Sequence, residues 1–264
     1  MTGARTTSIQ SVQRALRILS LFTADQPLWT VGDISRALAL NKSVVSRFLA
    51  TMAVEGFVTQ DATTKAYAIG PQAFAVGSTY RPFVVLEAIL RPAMANLTAK
   101  TGQSTSTGVP SGHVFTIIHT VQGTGSIRVA FDIGQRPYYH SAAIGKLLLA
   151  AKSDGDVRAI VGPDPLPKVT PWTIGTVSEL FSDLEQIRRT GIAISSQESI
   201  PGVGAVAAGI RNAKGECIAG ISVVYPTHVV SDAEIRQYSM LTMETAQQLS
   251  GKLTSSALGS AEVD

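Results

Sequence analysis

The stretch ALNKSVVSRFLATMAVEGFV, residues 39–58, decides the first part of the fold. From Lys42 to Glu55 its apolar residues Val45, Phe48, Leu49 and Met52 recur at i, i+3, i+4 and i+7, the spacing of one helical face. Gly56 supplies a stop, because the left-handed conformation that closes a helix carries no steric penalty for glycine. The opposite side shows Ser43, Ser46, Arg47 and Ala50, small residues around a single arginine. Such a face enters a major groove without steric conflict, and a guanidinium there matches the paired acceptors of guanine. Lys42, at the helix start, falls where phosphates approach. The stretch reads as a recognition helix, with Lys42, Ser43, Val44, Ser46 and Arg47 as candidate DNA contacts.

Upstream, SVQRALRILSLF at 11–22 places Val12, Ala15, Leu16, Leu19 and Phe22 on one expected helical face. Asp25–Pro27 breaks that pattern, and Thr30 can cap a second helix with Val31, Ile34 and Leu38 facing inward. Downstream, FVTQDATTKAYAI reads as two short strands around the polar turn Asp61–Lys65, whose Thr63, Thr64 and Lys65 could touch backbone or minor groove. Helix, three-residue turn, helix and hairpin is the layout of a winged helix-turn-helix. Periodicity alone fits any three-helix packing unit with a solvated face equally well. Charge separates the two readings. Residues 1–70 hold seven Lys/Arg against four acids, whereas the remainder holds fifteen of each. The whole positive excess sits where a phosphate backbone would be met. Arg14 and Arg17 read as surface or salt-bridged, and Arg5 as part of a tail.

The chain has 264 residues, 45% of them hydrophobic and 16% charged, with a net charge of +3. That is ample for two domains with real cores and argues against bulk disorder. No apolar run approaches membrane-spanning length, and the first residues lack a secretory pattern, so no membrane contact and a cytoplasmic location are expected. A single cysteine, Cys217, excludes an internal disulfide and a cysteine-based zinc site. The expected division is 1–70 for DNA binding, 71–91 for a linker helix region and 92–264 for a second domain.

Beyond residue 70 the pattern is mixed. Residues 71–101 read as helical, interrupted at Pro82 and Pro92, with Pro92 in the first turn of a helix that ends at Gly102. VFTIIHTV and SIRVAF read as strands, and Ser141–Ala151 as a helix. Four prolines loosen Gly162–Gly175. Thr176 caps a helix to Thr190 with Leu180, Leu184 and Ile187 inside. IAISS, VGAVAAGIRN and ECIAGISVV read as strands, the last two joined by a hairpin at Asn212–Gly215. Ser231 caps a long final helix, and the tail from Thr254 is expected to fray. The fold class is α+β.

SVQRALRILSLF, the 39–58 segment and YAIG at 67–70 together resemble the IclR family of regulators. HSAAIGKLLLA at 140–150, the Thr176–Gly191 helix pattern ending in IRRTG, SSQESIPGVGAVAAGI at 195–210 and ISVVYP at 221–226 extend the likeness over about residues 8–253 in register. The resemblance implies a winged helix-turn-helix joined by a linker helix to a GAF-like effector domain, an antiparallel sheet flanked by helices. It implies a homo-oligomer, dimer or dimer of dimers, on a pseudo-palindromic double-stranded operator. It also implies a small organic-acid or aromatic effector from catabolism. Departures matter here. Ser195 stands where some members carry an acidic pocket residue, Ala205 where some carry cysteine, and Val224 where some carry serine, so effector identity does not transfer.

The expected effector site gathers Ala143, Ile144 and Gly145 at a helix start, where free amides and the helix dipole favour a carboxylate. Ser195 and Ser222 would add hydrogen bonds, and Ala205 and Val224 an apolar wall. The same small residues would also serve tight helix–sheet packing. No cofactor, metal or catalytic residue is expected. Gly202–Ala207 satisfies a loose G-x-G-x-x-A pattern but leads into a predicted hairpin, not the helix a dinucleotide site needs. Gly145-Lys146 lacks the upstream glycine of a phosphate loop. His113, His119, His140 and His228 lack ligand spacing, and Cys217 reads as a small core residue. The rival is a small-molecule enzyme on residues 71–264. Its pocket segments offer Ser141, Ser195, Ser222 and Glu198 with no evident base partner, so binding without turnover fits better.

Overall fold

The computed structural model describes residues 9–23, 26–79, 81–129 and 131–255, without the side chains of 81–87 and 255. Arg5 and the tail beyond Ser255 lie outside them. The chain divides into two compact units, one ending at Val84 and the other beginning at Val85.

In the first unit, α1 (Gln10–Leu19), α2 (Val31–Leu38) and α3 (Lys42–Val54) are followed by β1 (Val58–Gln60), β2 (Tyr67–Ile69) and α4 (Pro71–Ser78). Thr30 caps α2 in a reciprocal box with Asp33, as Thr-x-x-Asp predicts. Gly56 follows α3 with φ +74°. Ile18, Ile34, Val45, Leu49, Met52, Val58 and Tyr67 form the core. Two residues expected inside are not there: Val12 is 51% and Leu16 58% exposed. The buried face of α1 centres on Ala15, Ile18 and Leu19, with Phe22 packed in just beyond the helix, and Leu16 lies about 100° around the helix from Ala15. β1 and β2 pair antiparallel. Trp29 adds a bridge to Tyr67, exchanging two backbone hydrogen bonds at 3.0 and 2.8 Å, a third edge to the wing that the sequence did not signal.

The second unit holds a five-stranded antiparallel sheet of β3 (Ser104–Ser111), β4 (Val114–Val121), β5 (Ile192–Ser196), β6 (Val203–Arg211) and β7 (Cys217–Pro226), in the order β4-β3-β7-β6-β5. α5 (Arg81–Thr101) and α9 (Asp232–Ser255) cover one face, where Thr98 meets Thr105 at 2.9 Å and Thr107 meets Met94. α6 (Ala143–Ala150), α7 (Asp154–Val161) and α8 (Val177–Thr190) belong to the other side, whose core joins Phe115, Ile144, Leu148, Val157, Leu184 and Ala193. Thr176 and Glu179 form a second capping box at α8.

Two expectations are corrected and one element is added. Pro92 sits inside α5 rather than at a helix start. It cannot donate to the preceding turn, but full burial of Leu90, Met94 and Leu97 holds the helix together across it. SIRVAF is not a strand in its described residues. The outer edge of β4 is already taken: Ile117 N–H donates to Gln135 O, Gly134 N–H donates to Ile117 O, and Val114 bridges Tyr138. α7 was not foreseen, although Ser153 accepts from the Asp156 amide in an ordinary N-cap pattern.

Candidate DNA-reading face and effector cleft

The burial of α3 sorts its residues. Val45, Leu49 and Met52 anchor it in the core, while Lys42, Ser43, Ser46 and Arg47 are exposed and Val44 is half-buried. The face opposite the anchors is thus small, polar and positively charged. Asn41 makes no side-chain cap, so the first amides of α3 stay available to an acceptor outside the chain. In the wing turn, Thr64 and Lys65 are exposed. Asp61 Oδ1 accepts from the Thr63 and Thr64 amides and the Thr64 hydroxyl at 2.7–3.0 Å, which fixes the turn. Lys65 occupies the left-handed region at φ +58°.

In the second unit a narrow cleft of about 40 Å³, partly open to solvent, lies between the sheet and the start of α6. Its lining includes Ala143, Ile144, Ser195, Ala205, Ser222 and Val224, six of the seven residues expected from sequence. Strand register explains the convergence. Ser195 pairs with Ala205, Ala205 with Val224 and Val224 with Ser104, so these residues form one row across four strands. Ser222 sits in the next row opposite Ser106, and the two hydroxyls are 2.8 Å apart.

Gly145 is the correction. It does not line the cleft; a Cβ there would stand 2.2 Å from the Tyr139 carbonyl oxygen. The glycine is needed for the close approach of α6 to the turn at Tyr139–Ser141. Sequence reasoning missed Ser106, Phe115, Ile117, Phe131 and Ser199 in the lining. Their spacing carries no motif; the β3–β4 hairpin brings in Ser106, Phe115 and Ile117, the segment after β4 brings in Phe131, and the β5–β6 connection brings in Ser199. Ser199 donates to the Ser141 carbonyl at 2.6 Å and leaves its oxygen lone pairs to accept.

α6 begins at Ala143 with Ala142 as an N-cap that provides no side-chain acceptor. Its first amides have no intrahelical partner, and Ala142, Ala143 and Ile144 all border the cleft. The lining contains no charged side chain. Glu198 does gain a partner: Lys146 Nζ lies 2.8 Å from Glu198 and 2.7 Å from Asp183. Burial pushes the Glu198 carboxyl up, against the pull of Lys146. None of these three groups lines the cleft.

The other candidates resolve into structure. His113 and His140 meet the carbonyls of Ile160 and Pro167 at 2.9 and 2.8 Å. Cys217 packs against the core, and burial raises its thiol. Gly202–Ala207 runs into β6, so no dinucleotide turn exists there. Among the described residues no cluster of His, Cys, Asp or Glu could hold a metal, and no single helix is long and apolar enough to cross a membrane.

A winged helix-turn-helix with a small, basic reading face, carried on one chain with an α+β unit that holds a hydroxyl-lined cleft, defines a DNA-binding regulator responsive to a small molecule. The IclR helix-turn-helix domain matches residues 11–62 and the bacterial transcriptional regulator IclR C-terminal domain matches residues 84–251. The chain therefore belongs to the IclR family of bacterial transcriptional regulators, which are not enzymes. It is 34% identical to the HTH-type transcriptional regulator BhcR of Paracoccus denitrificans (strain Pd 1222), over 92% of this chain and 86% of that protein. Its fold resembles a crystal structure of an IclR transcriptional regulator from Silicibacter sp. TM1040, with a TM-score of 0.83 at 21% identity over 93% of this chain and 97% of that one. It also resembles an IclR homologue from Microbacterium hydrocarbonoxydans complexed with 4-hydroxybenzoate, with a TM-score of 0.76 at 20% identity over 93% of this chain and all of that one.

Proposed function

We propose that residues 1–70 read a double-stranded operator and residues 92–264 bind a carboxylic acid that modulates this binding, with 71–91 as the coupling segment. Lys42 and the first amides of α3 meet phosphate, Ser43, Val44 and Ser46 permit close approach, and Arg47 reads a base edge. Thr64 and Lys65 meet the flanking backbone or minor groove. The effector's carboxylate sits at the uncapped start of α6, beside Ala143 and Ile144, with hydroxyls from Ser195 and Ser222; Ser199, whose proton goes to the Ser141 carbonyl, is left to accept from a donor on the ligand. Ala205, Val224 and Phe115 receive its apolar body, which favours an aromatic or branched acid over a two-carbon one. The 4-hydroxybenzoate held by the Microbacterium protein is an acid of this kind. The operon served is catabolic, and the protein works in the cytoplasm.

The functional unit is a homodimer or a dimer of dimers on a pseudo-palindrome. One recognition helix covers a half-site of a few base pairs only, and two-fold pairing doubles its contacts. Phe74 and Val76 of α4, 78% and 51% exposed, supply apolar surface for such pairing.

The observation that carries the effector reading is the uncapped α6 start facing a cross-strand row of hydroxyls and small apolar residues in one cleft. The test is thermal shift with 4-hydroxybenzoate and a panel of monocarboxylates on wild type and Ala143→Leu. Wild type should gain stability with at least one acid. The variant should lose that gain while its apo form stays folded and binds DNA. Unfolding of the apo variant, or indifference of wild type to every acid, would count against the site.

A further inference from the structure

We infer that Lys146 is a positioning residue for the effector cleft: together with Glu198 and Asp183 it holds the 194–199 segment so that Ser195 presents its hydroxyl to the ligand and Ser199 stays in the cleft wall. The inference rests on the effector reading of the cleft, but its geometry stands apart from it.

Lys146 is 1% exposed, among the largest fully buried side chains in the described residues. Its Nζ donates to the Ile194 carbonyl at 2.9 Å and to Glu198 Oε1 at 2.8 Å, and pairs with Asp183 Oδ2 at 2.7 Å. These contacts fill the three donors of an ammonium group. A buried ammonium is tolerable only with such partners. Each partner belongs to a different element: Ile194 to β5, Glu198 to the β5–β6 connection, Asp183 to α8. Lys146 itself is on α6, three residues after Ala143 at the cleft. The ammonium therefore ties the helix that starts at the cleft to the strand end that forms its wall.

The tied segment is held from its other side as well. Glu198 Oε1 accepts from the Ser196 amide at 3.3 Å. The hydroxyls of Thr170 and Thr173 donate to the Gln197 and Glu198 carbonyls at 2.7 and 2.6 Å. Gln197 takes the left-handed conformation, φ +61°, which a glutamine accepts only when its surroundings impose it. Ser195 and Ser199, one on each side of this pinned stretch, both line the cleft. Because every Lys146 donor is spent, a ligand carboxylate cannot take it as counter-ion. The anion is left to amides and hydroxyls, whose placement the ammonium governs.

The test is hydrogen–deuterium exchange on the full-length protein without any small molecule, comparing wild type with Lys146→Met/Glu198→Gln. The double variant removes the buried ammonium together with one buried carboxylate; Asp183 remains with 29% of its side chain exposed. Exchange across 194–199, above all at the Ser196 amide, should speed up about tenfold or more, while β6, β7 and the first unit keep wild-type rates. Glu198→Gln alone, which retains the Lys146–Asp183 pair, gives the same local reading should the double variant fail to fold. Rates across 194–199 within about twofold of wild type, or an equal rise throughout the second unit, would overturn the inference. A second readout separates positioning from a merely structural tie. The thermal gain that an acid gives wild type should be largely lost in Glu198→Gln while operator binding is kept, whereas a full gain beside loosened 194–199 would overturn the positioning role. Indifference of wild type to every acid would count against the effector reading and leave the exchange result to stand by itself.

Discussion

Arg47 is exposed on the side of α3 that Val45, Leu49 and Met52 leave free. Its replacement by alanine should weaken specific operator binding by about 1–3 kcal/mol if it reads a guanine bidentately. Lys42→Ala should instead lower affinity for all sequences and flatten the salt dependence. Binding isotherms at several salt concentrations separate the two, and an unchanged footprint with Arg47→Ala would mean that another helix face reads DNA. His140 gives a pH prediction. Burial holds its imidazole below the ordinary 6.5, outweighing the hydrogen bond to Pro167. The folded state then binds fewer protons than the unfolded chain just below that value. This contribution is full above 6.5 and is lost as pH falls through the lowered folded value. Glu198, pushed up from 4.5 by burial, acts in the opposite sense, so the diagnostic quantity is the difference from His140→Gln. The melting temperature of wild type should drop more steeply than that of the variant on acidification below 6.5; parallel curves would refute the assignment. At this scale the sequence showed which side chains could serve a site. Ser195, Ala205 and Val224 were legible as small residues on strands, but the register that aligns them was not. Gly145 shows the complementary limit: the close approach to Tyr139 that needs a glycine there has no signal in the local sequence.

Helix boundaries were legible where side chains specify them locally. Thr30 with Asp33 and Thr176 with Glu179 form the boxes that their spacing announces. Thr176→Ala should cost about 1 kcal/mol, read as a shift in the chemical denaturation midpoint of the second unit; no shift would show that α8 is held by packing alone. Elements decided by long-range contacts were less legible. The interior Pro92 reads as a breaker until the burial of Leu90, Met94 and Leu97 is known. SIRVAF has the composition of a strand, yet the edge of β4 is occupied by backbone from 134–138. On α1, Val12 and Leu16 satisfy a helical stripe but leave it exposed beside Ile9 at 68%.

Beyond the single element, Val12 and Leu16 of α1 and Phe74 and Val76 of α4 are apolar and exposed. The dimer or dimer of dimers proposed above would cover such surface. Light scattering at micromolar concentration should report a dimer or larger species, and Phe74→Glu should shift it toward monomer and weaken operator binding; a strictly monomeric wild type that still binds operator would exclude the arrangement. On the proposed function, the exposed face of α3 reads DNA and a small acid in the second unit controls this. Selection of genomic fragments by the full-length protein, run in parallel with Arg47→Ala and with and without the acid that stabilises wild type, tests it most directly. Wild type should enrich a pseudo-palindromic sequence, Arg47→Ala should lose the preference at one position in each half-site, and the acid should change the enrichment. Enrichment indifferent both to Arg47→Ala and to the acid would contradict it.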